Sequence, residues 1–395
     1  MRLIFKRKPL NNFCKEKPFI LGIDASRNHS GGAKAHLIGL LQEAEPLKYG
    51  IQAIHVWSYP ALLHALPNIS WLVKHCVFKR ECSIINQMLW QRFQLPKELK
   101  KIGCSILLNT DAGSVSRFKP SVTMSRDMLS YEPGEMERFG YSKARLRLIA
   151  LRYIQNKSLS SADGAIFLTK YAAEMIQKSC GILSNIAYVP HGIGPVFKNT
   201  KKLHAWPMPG ERPIRCLYVS NAAMYKHPWA VVRAVEKLRY QGHQITLTLV
   251  GGGTGNGLKL LREQVAISDP HGHFVKLHDF VSQKEISNYL TDADLFVFAS
   301  SCENMPNTLL EAMAVGLPIA CSNRGPMPEV LVDGGVYFDP ENDDSIADAI
   351  ERLILDVKLR EYSGETSKKL SEQYSWARCA NETMEFIVKT SQSLV

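Results

Sequence analysis

The sequence predicts an α/β fold of two domains, each built on a parallel sheet, facing one another across a cleft. Three observations predict it. Strand-sized apolar runs alternate with stretches of helical period, which is the pattern of parallel sheets covered by helices. The pattern stops at a proline-bearing polar stretch and then begins again. The chain has 395 residues, 45% hydrophobic and 22% charged, a globular composition on a length that exceeds what one core usually serves.

The first unit opens with the buried-strand run Pro18 to Ala25, a polar turn Ser26 to Gly32, and a helix from Ala33 to Ala44. Further strands are expected at Ser105 to Leu108, Gly164 to Leu168 and Ile186 to Val189. After His191-Gly192-Ile193-Gly194-Pro195, the stretch Lys198 to Pro213 carries three prolines and a glycine and reads as the linker. This divides the chain at 197/198. The second unit repeats the alternation, with strands at Arg215 to Ser220, Gln244 to Val250, Val275 to Leu277, Leu295 to Ala299 and Pro318 to Ser322. Helices are expected at Ala230 to Arg239, Ser282 to Thr291, Thr308 to Val315 and Asp344 to Leu355.

The nine cysteines are scattered and never spaced Cys-x-x-Cys, which argues for a reducing, cytoplasmic setting over a disulfide framework or a zinc site. Met1 to Pro9 is basic but is followed by Asn11, Asn12, Lys15 and Glu16 instead of an apolar run, so it does not read as a signal peptide. No run approaches the length needed to span a bilayer. Charge is uneven: residues 1–200 hold 28 Lys and Arg against 13 Asp and Glu, whereas residues 201–395 hold 20 against 24. A basic first half calls for an anionic partner, whether a membrane surface, a phosphorylated substrate or nucleic acid. Between Leu62 and Lys101, aromatic residues (Trp71, Phe78, Trp90, Phe93) mix with Lys74, Lys79, Arg80 and Arg92, which suits either an interfacial helix on an anionic membrane or a core helix with a solvated basic face.

In a cleft between two such sheets, ligands bind outside the carboxyl ends of the strands, where helix N-termini point. The densest chemistry lies in 296–325. A strand ends at Ala299, a polar turn holds Glu303, Asn304 and Met305, and a helix starts near Pro306, where the missing N-H of proline costs nothing. Amides around Asn307, Thr308 and Leu309 then make a diphosphate site with the helix dipole. Glu311 falls within that helix among Leu309, Leu310, Ala312 and Met313. A carboxylate there needs donors, which ribose hydroxyls would supply. Gly251-Gly252-Gly253 after a strand reads as backbone room beside a nucleotide.

Glu303 and Glu311, with seven residues between them inside segment 300–330, resemble the signature of the retaining GT-B glycosyltransferases of the large group 1 family. The resemblance extends to Ser30-Gly31-Gly32, segment 162–168, Val189-Pro190-His191-Gly192, Val250-Gly251-Gly252-Gly253 and Tyr374-Ser375-Trp376. The wording is similar to enzymes of bacterial surface-polysaccharide (O-antigen, capsule) assembly. It implies two Rossmann-like domains, 1–197 for the acceptor and 198–373 for the nucleotide sugar, with 374–395 crossing back onto the first. It also implies that Glu311 binds the donor ribose, that Glu303 contacts the sugar hydroxyls, and that Lys226 neutralises the diphosphate. Gly31 and Gly32 would let backbone approach the phosphates. Lysine and helix amides would do the work of a metal, so neither metal nor cofactor is expected. Two positions depart from the family pattern: Asn221 stands where many members have an arginine, and Ser125-Arg126-Asp127 replaces a His-Asp pair. Asp127 is still a catalytic candidate, Asn221 a donor-side one, and Arg126 and His191 acceptor or cleft candidates.

The expected function is transfer of a sugar, with retention, from a GDP- or UDP-sugar to a lipid-linked or oligosaccharide acceptor. Peripheral contact with the inner face of the cytoplasmic membrane is expected through the basic domain. An epimerase or a phosphorylase shares such a cleft, although no motif for a pyridoxal lysine is present. A nucleic-acid-binding protein would explain the basic half but not the acidic one, and no nucleic-acid motif is recognisable.

Overall fold

The computed structural model describes residues 18–29, 31–77, 83–200 and 202–393. Met1 to Pro9, Ser30 of the glycine turn, and Phe78, Lys79 and Arg80 lie outside the described residues. Two parallel sheets form, as expected. The first contains β1 (Phe19–Asp24), β2 (Ile51–Ser58), β3 (Leu72–Cys76), β4 (Ile106–Asn109), β5 (Ser121–Met124), β6 (Gly164–Phe167) and β7 (Ile186–Tyr188) in the order β3-β2-β1-β4-β5-β6-β7. The second contains β8 (Ile214–Val219), β9 (Ile245–Val250), β10 (Val275–His278), β11 (Leu295–Phe298), β12 (Ile319–Ser322) and β13 (Val336–Phe338) in the order β10-β9-β8-β11-β12-β13.

The central strands are apolar on both faces because both faces are covered. All four residues of β4, β6, β11 and β12 are buried. Each sheet reverses its strand order once, between β1 and β4 and between β8 and β11. The reversal leaves a crevice at the carboxyl edge, since the loops on either side depart in opposite directions. The two crevices are where the predicted residues gather.

The C-terminal helix Trp376–Gln392 crosses back and packs on the helix Gly31–Glu43 and beside β4 and β6. Glycines make this seat possible. A Cβ on Gly39 would sit 2.4 Å from the Trp376 ring, and one on Gly164 would sit 3.0 Å from Phe386. The two crossings between domains run side by side: Ile193 bridges Ser375, and its amide donates to the Tyr374 carbonyl at 3.3 Å. A Cβ on Gly192 would lie 2.2 Å from the Trp376 nitrogen, so only glycine fits between the crossings.

The stretch 62–101 is not one interfacial helix. It contains the end of the helix Pro60–Ala65, strand β3, and the consecutive helical turns Ile84–Leu89, Trp90–Gln94 and Leu95–Ile102. Trp90 is buried with Trp57, Leu95, Leu99 and Phe118 in the core beneath the sheet. Phe93 instead stands 60% exposed. β2, β3, β5 and β13 are absent from the sequence reading, β2 because its polar Gln52 and His55 break the apolar run.

Candidate functional site

The half of the candidate site in the second domain is built on the loops after β8 and β11, which flank the crevice of the second sheet. The loop after β8 forms a short 3-10 turn, Met224–Lys226. The loop after β11 is tied to it because the Ser301 amide donates to the Tyr225 carbonyl at 2.8 Å. This clasp sets Lys226 opposite Glu303, and the ammonium pairs with the carboxylate. The Lys226 Nζ also lies over the rings of Tyr225 and Phe298, 5.2 and 5.6 Å from their centroids. The predicted cation and the predicted sugar-facing carboxylate thus hold each other at the cleft. Asn221 is exposed at the start of the same loop.

The helix Asn307–Val315 follows. The Asn307 amide is engaged by the Met305 carbonyl at 3.1 Å, which corrects the expectation that it is free. A first helical turn leaves the amides of Thr308 and Leu309 without intrahelical partners. The side chains of Met305 and Leu309 are buried in the core, so any ligand contact they make runs through backbone. Asn304 is buried, and neither its side-chain nitrogen nor its side-chain oxygen has a partner among the described residues, while its backbone carbonyl accepts from Thr169 Oγ1 at 3.1 Å. Glu311 is 8% exposed. One of its oxygens accepts from Gln283 Nε2 at 3.2 Å and the other has no partner. Burial pushes its carboxyl up to about 7.

The Gly251 to Gly253 loop makes room for protein backbone. Cβ atoms on Gly251 and Gly253 would lie 2.5 Å from the Ser220 carbonyl oxygen and 3.0 Å from the Ala222 nitrogen. These glycines shape the loop that carries Lys226, and the backbone room expected there is taken up by Ser220 and Ala222.

The facing half comes from the loops after β1 and β5. Gly31 opens its helix, with nothing within 4 Å of its Cβ position, while a Cβ on Gly32 would approach Asn307 Nδ2 at 3.3 Å. The N-termini of the helices Gly31–Glu43 and Asn307–Val315 therefore converge. Arg126 lies alongside, donating to Asn28 Oδ1 at 2.7 Å and to the Ala33 carbonyl at 3.3 Å. Its Nε has no partner among the described residues. Burial pulls the guanidinium down to about 10. Asp127 accepts from the Leu129 amide at 3.0 Å and faces Gln155, and burial raises its carboxyl above the usual range. His191 is buried and stacks on His36 with centroids 4.5 Å apart. Its Nδ1 lies 2.9 Å from Asn307 Oδ1, so it joins the interdomain crossing to the helix mouth.

Sequence reasoning missed a second link. The loop 126–142 of the first domain reaches across, where Ser301 Oγ donates to Glu135 at 2.5 Å and His227 Nε2 meets the same hydroxyl at 2.9 Å. Arg138 bridges Glu135 and Glu341. Glu329 of the second domain caps the helix Lys170–Cys180 by accepting from the Lys170 and Tyr171 amides at 2.8 and 2.9 Å. His227 holds a positive φ of 47°, a strained geometry for a side-chain-bearing residue. Burial lowers its imidazole to about 4. Its only sequence signal is a place between Lys226 and Pro228.

Together these groups bring to the cleft two helix mouths, an ammonium paired with Glu303 and a guanidinium with one N-H unpartnered among the described residues, with carboxylates on either side. That arrangement suits holding a diphosphate while charge develops on it. Among the described residues, no three His, Cys, Asp or Glu side chains are placed to hold a metal ion.

Residues 201–370 match the family model described as "Glycosyl transferases group 1". The chain is 29% identical over 220 residues, 54% of each chain, to D-inositol 3-phosphate glycosyltransferase of Paenarthrobacter aurescens. It is 30% identical over 255 residues to O-antigen chain mannosyltransferase B of Escherichia coli, covering 64% of this chain and 65% of that one. It spans about half the length of the curated relatives it matches. Among solved structures, HepE of Anabaena in complex with UDP-glucose superposes with a TM-score of 0.67 at 14% identity, over 95% of this chain and 100% of that one. The fold is GT-B: two Rossmann-like domains with the C-terminal helix returned to the first.

Proposed function

We propose, on the premise that residues 201–370 belong to the group 1 glycosyl transferases, that the whole chain is a retaining, metal-independent glycosyltransferase. It moves a sugar from a nucleotide diphosphate donor to a lipid-linked or oligosaccharide acceptor in polysaccharide assembly. The observation that carries this reading is Glu311, a buried carboxyl with one unpartnered oxygen, eight residues beyond a second carboxylate at the same helix mouth. Leaving such an oxygen unsatisfied costs stability, and a ribose diol supplies the missing donors.

In this reading the diphosphate lies over the Thr308 and Leu309 amides, and Lys226 turns from Glu303 toward it. Glu303, released, accepts from sugar hydroxyls. The acceptor hydroxyl approaches from the first domain on the same face as the departing phosphate. The leaving phosphate oxygen takes its proton, so bond making and breaking share one face and the anomeric configuration is retained. Arg126 and Asp127 border the acceptor side. The relative named for O-antigen chain mannosyl transfer supports a place in polysaccharide assembly.

The test is a melting experiment with ADP, GDP and UDP on the wild type and Glu311→Ala, followed by transfer from a radiolabelled donor. A bound ligand at about 100 times its Kd stabilises the fold by about 2.7 kcal/mol, so one nucleotide should raise the wild-type midpoint and leave Glu311→Ala unmoved. Equal shifts in both proteins would remove the site. A labelled product that is an isomer of the donor would replace transfer with epimerisation.

A further inference from the structure

A cavity of about 880 Å³ lies away from the crevice where the predicted residues meet. It lies on the opposite face of the first sheet from the C-terminal helix. Its origin is topological. Right-handed crossovers place the helical turns 84–102, the helix Lys143–Ser161 and the helix Lys170–Cys180 on that face. Between β4 and β5 the chain crosses with a loop, 110–120, and no helix. A trough is left between the turns 84–94 and the helix Lys143–Ser161, floored by that loop with Phe118 buried in it.

The trough is apolar, yet it lies open to water. Leu89 and Tyr153 line it and are 51% and 68% exposed, and Ile85 beside them is 66% exposed. Most of the surface that the trough offers is apolar. Its rim is cationic: Arg92, Arg117 and Lys157 line it, and among the described residues none has an ion-pair or hydrogen-bond partner. Lys119, also on the rim, pairs with Asp163 at 2.8 Å. One end lies near the carboxyl edge of the sheet, because Ser114 lines the trough and donates to Asn109, the last residue of β4, at 2.9 Å. The other end reaches Ser121 and Ser161 at the far edge of the sheet.

An apolar channel with an unpaired cationic rim fits a molecule with a hydrocarbon chain and an anionic head. We propose that this trough seats the chain of a single anionic lipid, the lipid-linked acceptor, so that its head reaches the cleft past Ser114. This rests on the reading of the protein as a transferase with such an acceptor and identifies where the lipid goes. The volume is within the usual range for small-molecule sites, and a trough with helical walls on two sides that ends beside the carboxyl edge of the sheet suits one chain better than a flat bilayer surface.

The experiment measures calorimetric binding of decyl phosphate, kept below its micellar concentration, against ethyl phosphate and decanol. The wild type should bind decyl phosphate at least about tenfold more tightly than ethyl phosphate, the scale of burying a few methylenes. The double variant Leu89→Asp/Tyr153→Asp should lose that preference. Both positions are solvent-facing, and an unchanged melting midpoint and nucleotide-induced shift will show the fold intact. Arg117→Glu/Lys157→Glu should weaken decyl phosphate while leaving decanol unchanged.

No chain-length preference in the wild type overturns the proposal, as does a preference that survives both pairs of substitutions. Binding to anionic vesicles without binding to monomeric decyl phosphate assigns the surface to a bilayer and overturns it too. Self-association abolished by Leu89→Asp/Tyr153→Asp would give the face to a second copy of the chain. Nucleotide binding that depends on Glu311, without lipid binding, removes the trough alone. Lipid binding without nucleotide binding leaves the trough and removes the transferase reading.

Discussion

Glu311 allows a test in which stability and affinity move in opposite directions. Its carboxyl stands near 7 in the folded protein because of burial, against about 4.5 in an unfolded chain. The unfolded state therefore releases the proton first, and the fold loses stability as pH rises from about 4.5 to 7, with no further loss above. The ceiling on that loss is about 3 kcal/mol. Glu311→Gln should make the ligand-free protein more stable than wild type at pH 8 and no more stable at pH 4. Donor binding runs the other way, because ribose hydroxyls donate best to the ionised carboxylate. For a free-state value near 7 and a lower one in the complex, affinity falls roughly tenfold between pH 8 and pH 6. Calorimetric Kd values for the nucleoside diphosphate in wild type and Glu311→Gln give the effect as a ratio, in which the nucleotide's own phosphate titration cancels. At pH 8 the Gln variant should bind about 10- to 100-fold more weakly, the scale of charge-assisted hydrogen bonds. A pH-independent ratio, or a Gln variant that is less stable at pH 8, would refute the placement of an orphaned carboxyl at the ribose.

Lys226→Ala should lower kcat by about 10²- to 10³-fold, as when one group stabilising a developing charge is removed, and steady-state kinetics with an unchanged kcat would refute its role on the diphosphate. Gly192→Ala drives a methyl into backbone of the second crossing and should cost at least about 1–3 kcal/mol; an unaltered melting midpoint would show that the crossings separate easily. His227, held near 4 by burial, is neutral in the fold and charges first in the unfolded chain, so stability is lost as pH falls from about 6.5 to 4. His227→Asn, whose side chain tolerates positive φ, should flatten the unfolding free energy against pH in that window by about one proton, and an unchanged slope would refute it.

The fold was legible where a strand is buried on both faces by apolar residues alone, because the strand then reads as an unbroken apolar run; β6 and β11 are of this kind. It was not legible where one position faces a polar partner. In β2, His55 meets His75 at 2.9 Å, and polar residues at such places break the run that marks a strand. β5, Ser-Val-Thr-Met, is buried throughout, but the hydroxyl of Thr123 accepts from Asn109 Nδ2 at 3.2 Å, a satisfaction that only the neighbouring strand reveals. The mixed stretch 62–101 failed for a related reason: composition cannot tell Trp90, turned into the core, from Phe93, turned out to solvent three residues later.

The second domain's half of the candidate site could be grouped from sequence because its residues are close in the chain and the helix converts spacing into position. Eight residues from Glu303 to Glu311 amount to a loop and a turn of helix, so both carboxyls fall near one mouth whatever the rest of the chain does. Pairs joined only by the packing of two domains carry no such signal. Glu135 and Ser301 are 166 positions apart, and Glu329 reaches the Lys170 amide across 159. Each contact exists because one sheet's carboxyl edge faces the other's. The same logic places the trough beyond sequence reading, since it arises from a crossover that lacks a helix and from which helices happen to flank it. Residues that act through local geometry announce themselves by spacing, whereas residues that act through the cleft emerge only when the two lobes are placed together. Substitutions in the second class, such as Glu135→Gln, should therefore alter how the lobes meet while leaving the donor lobe's own fold intact.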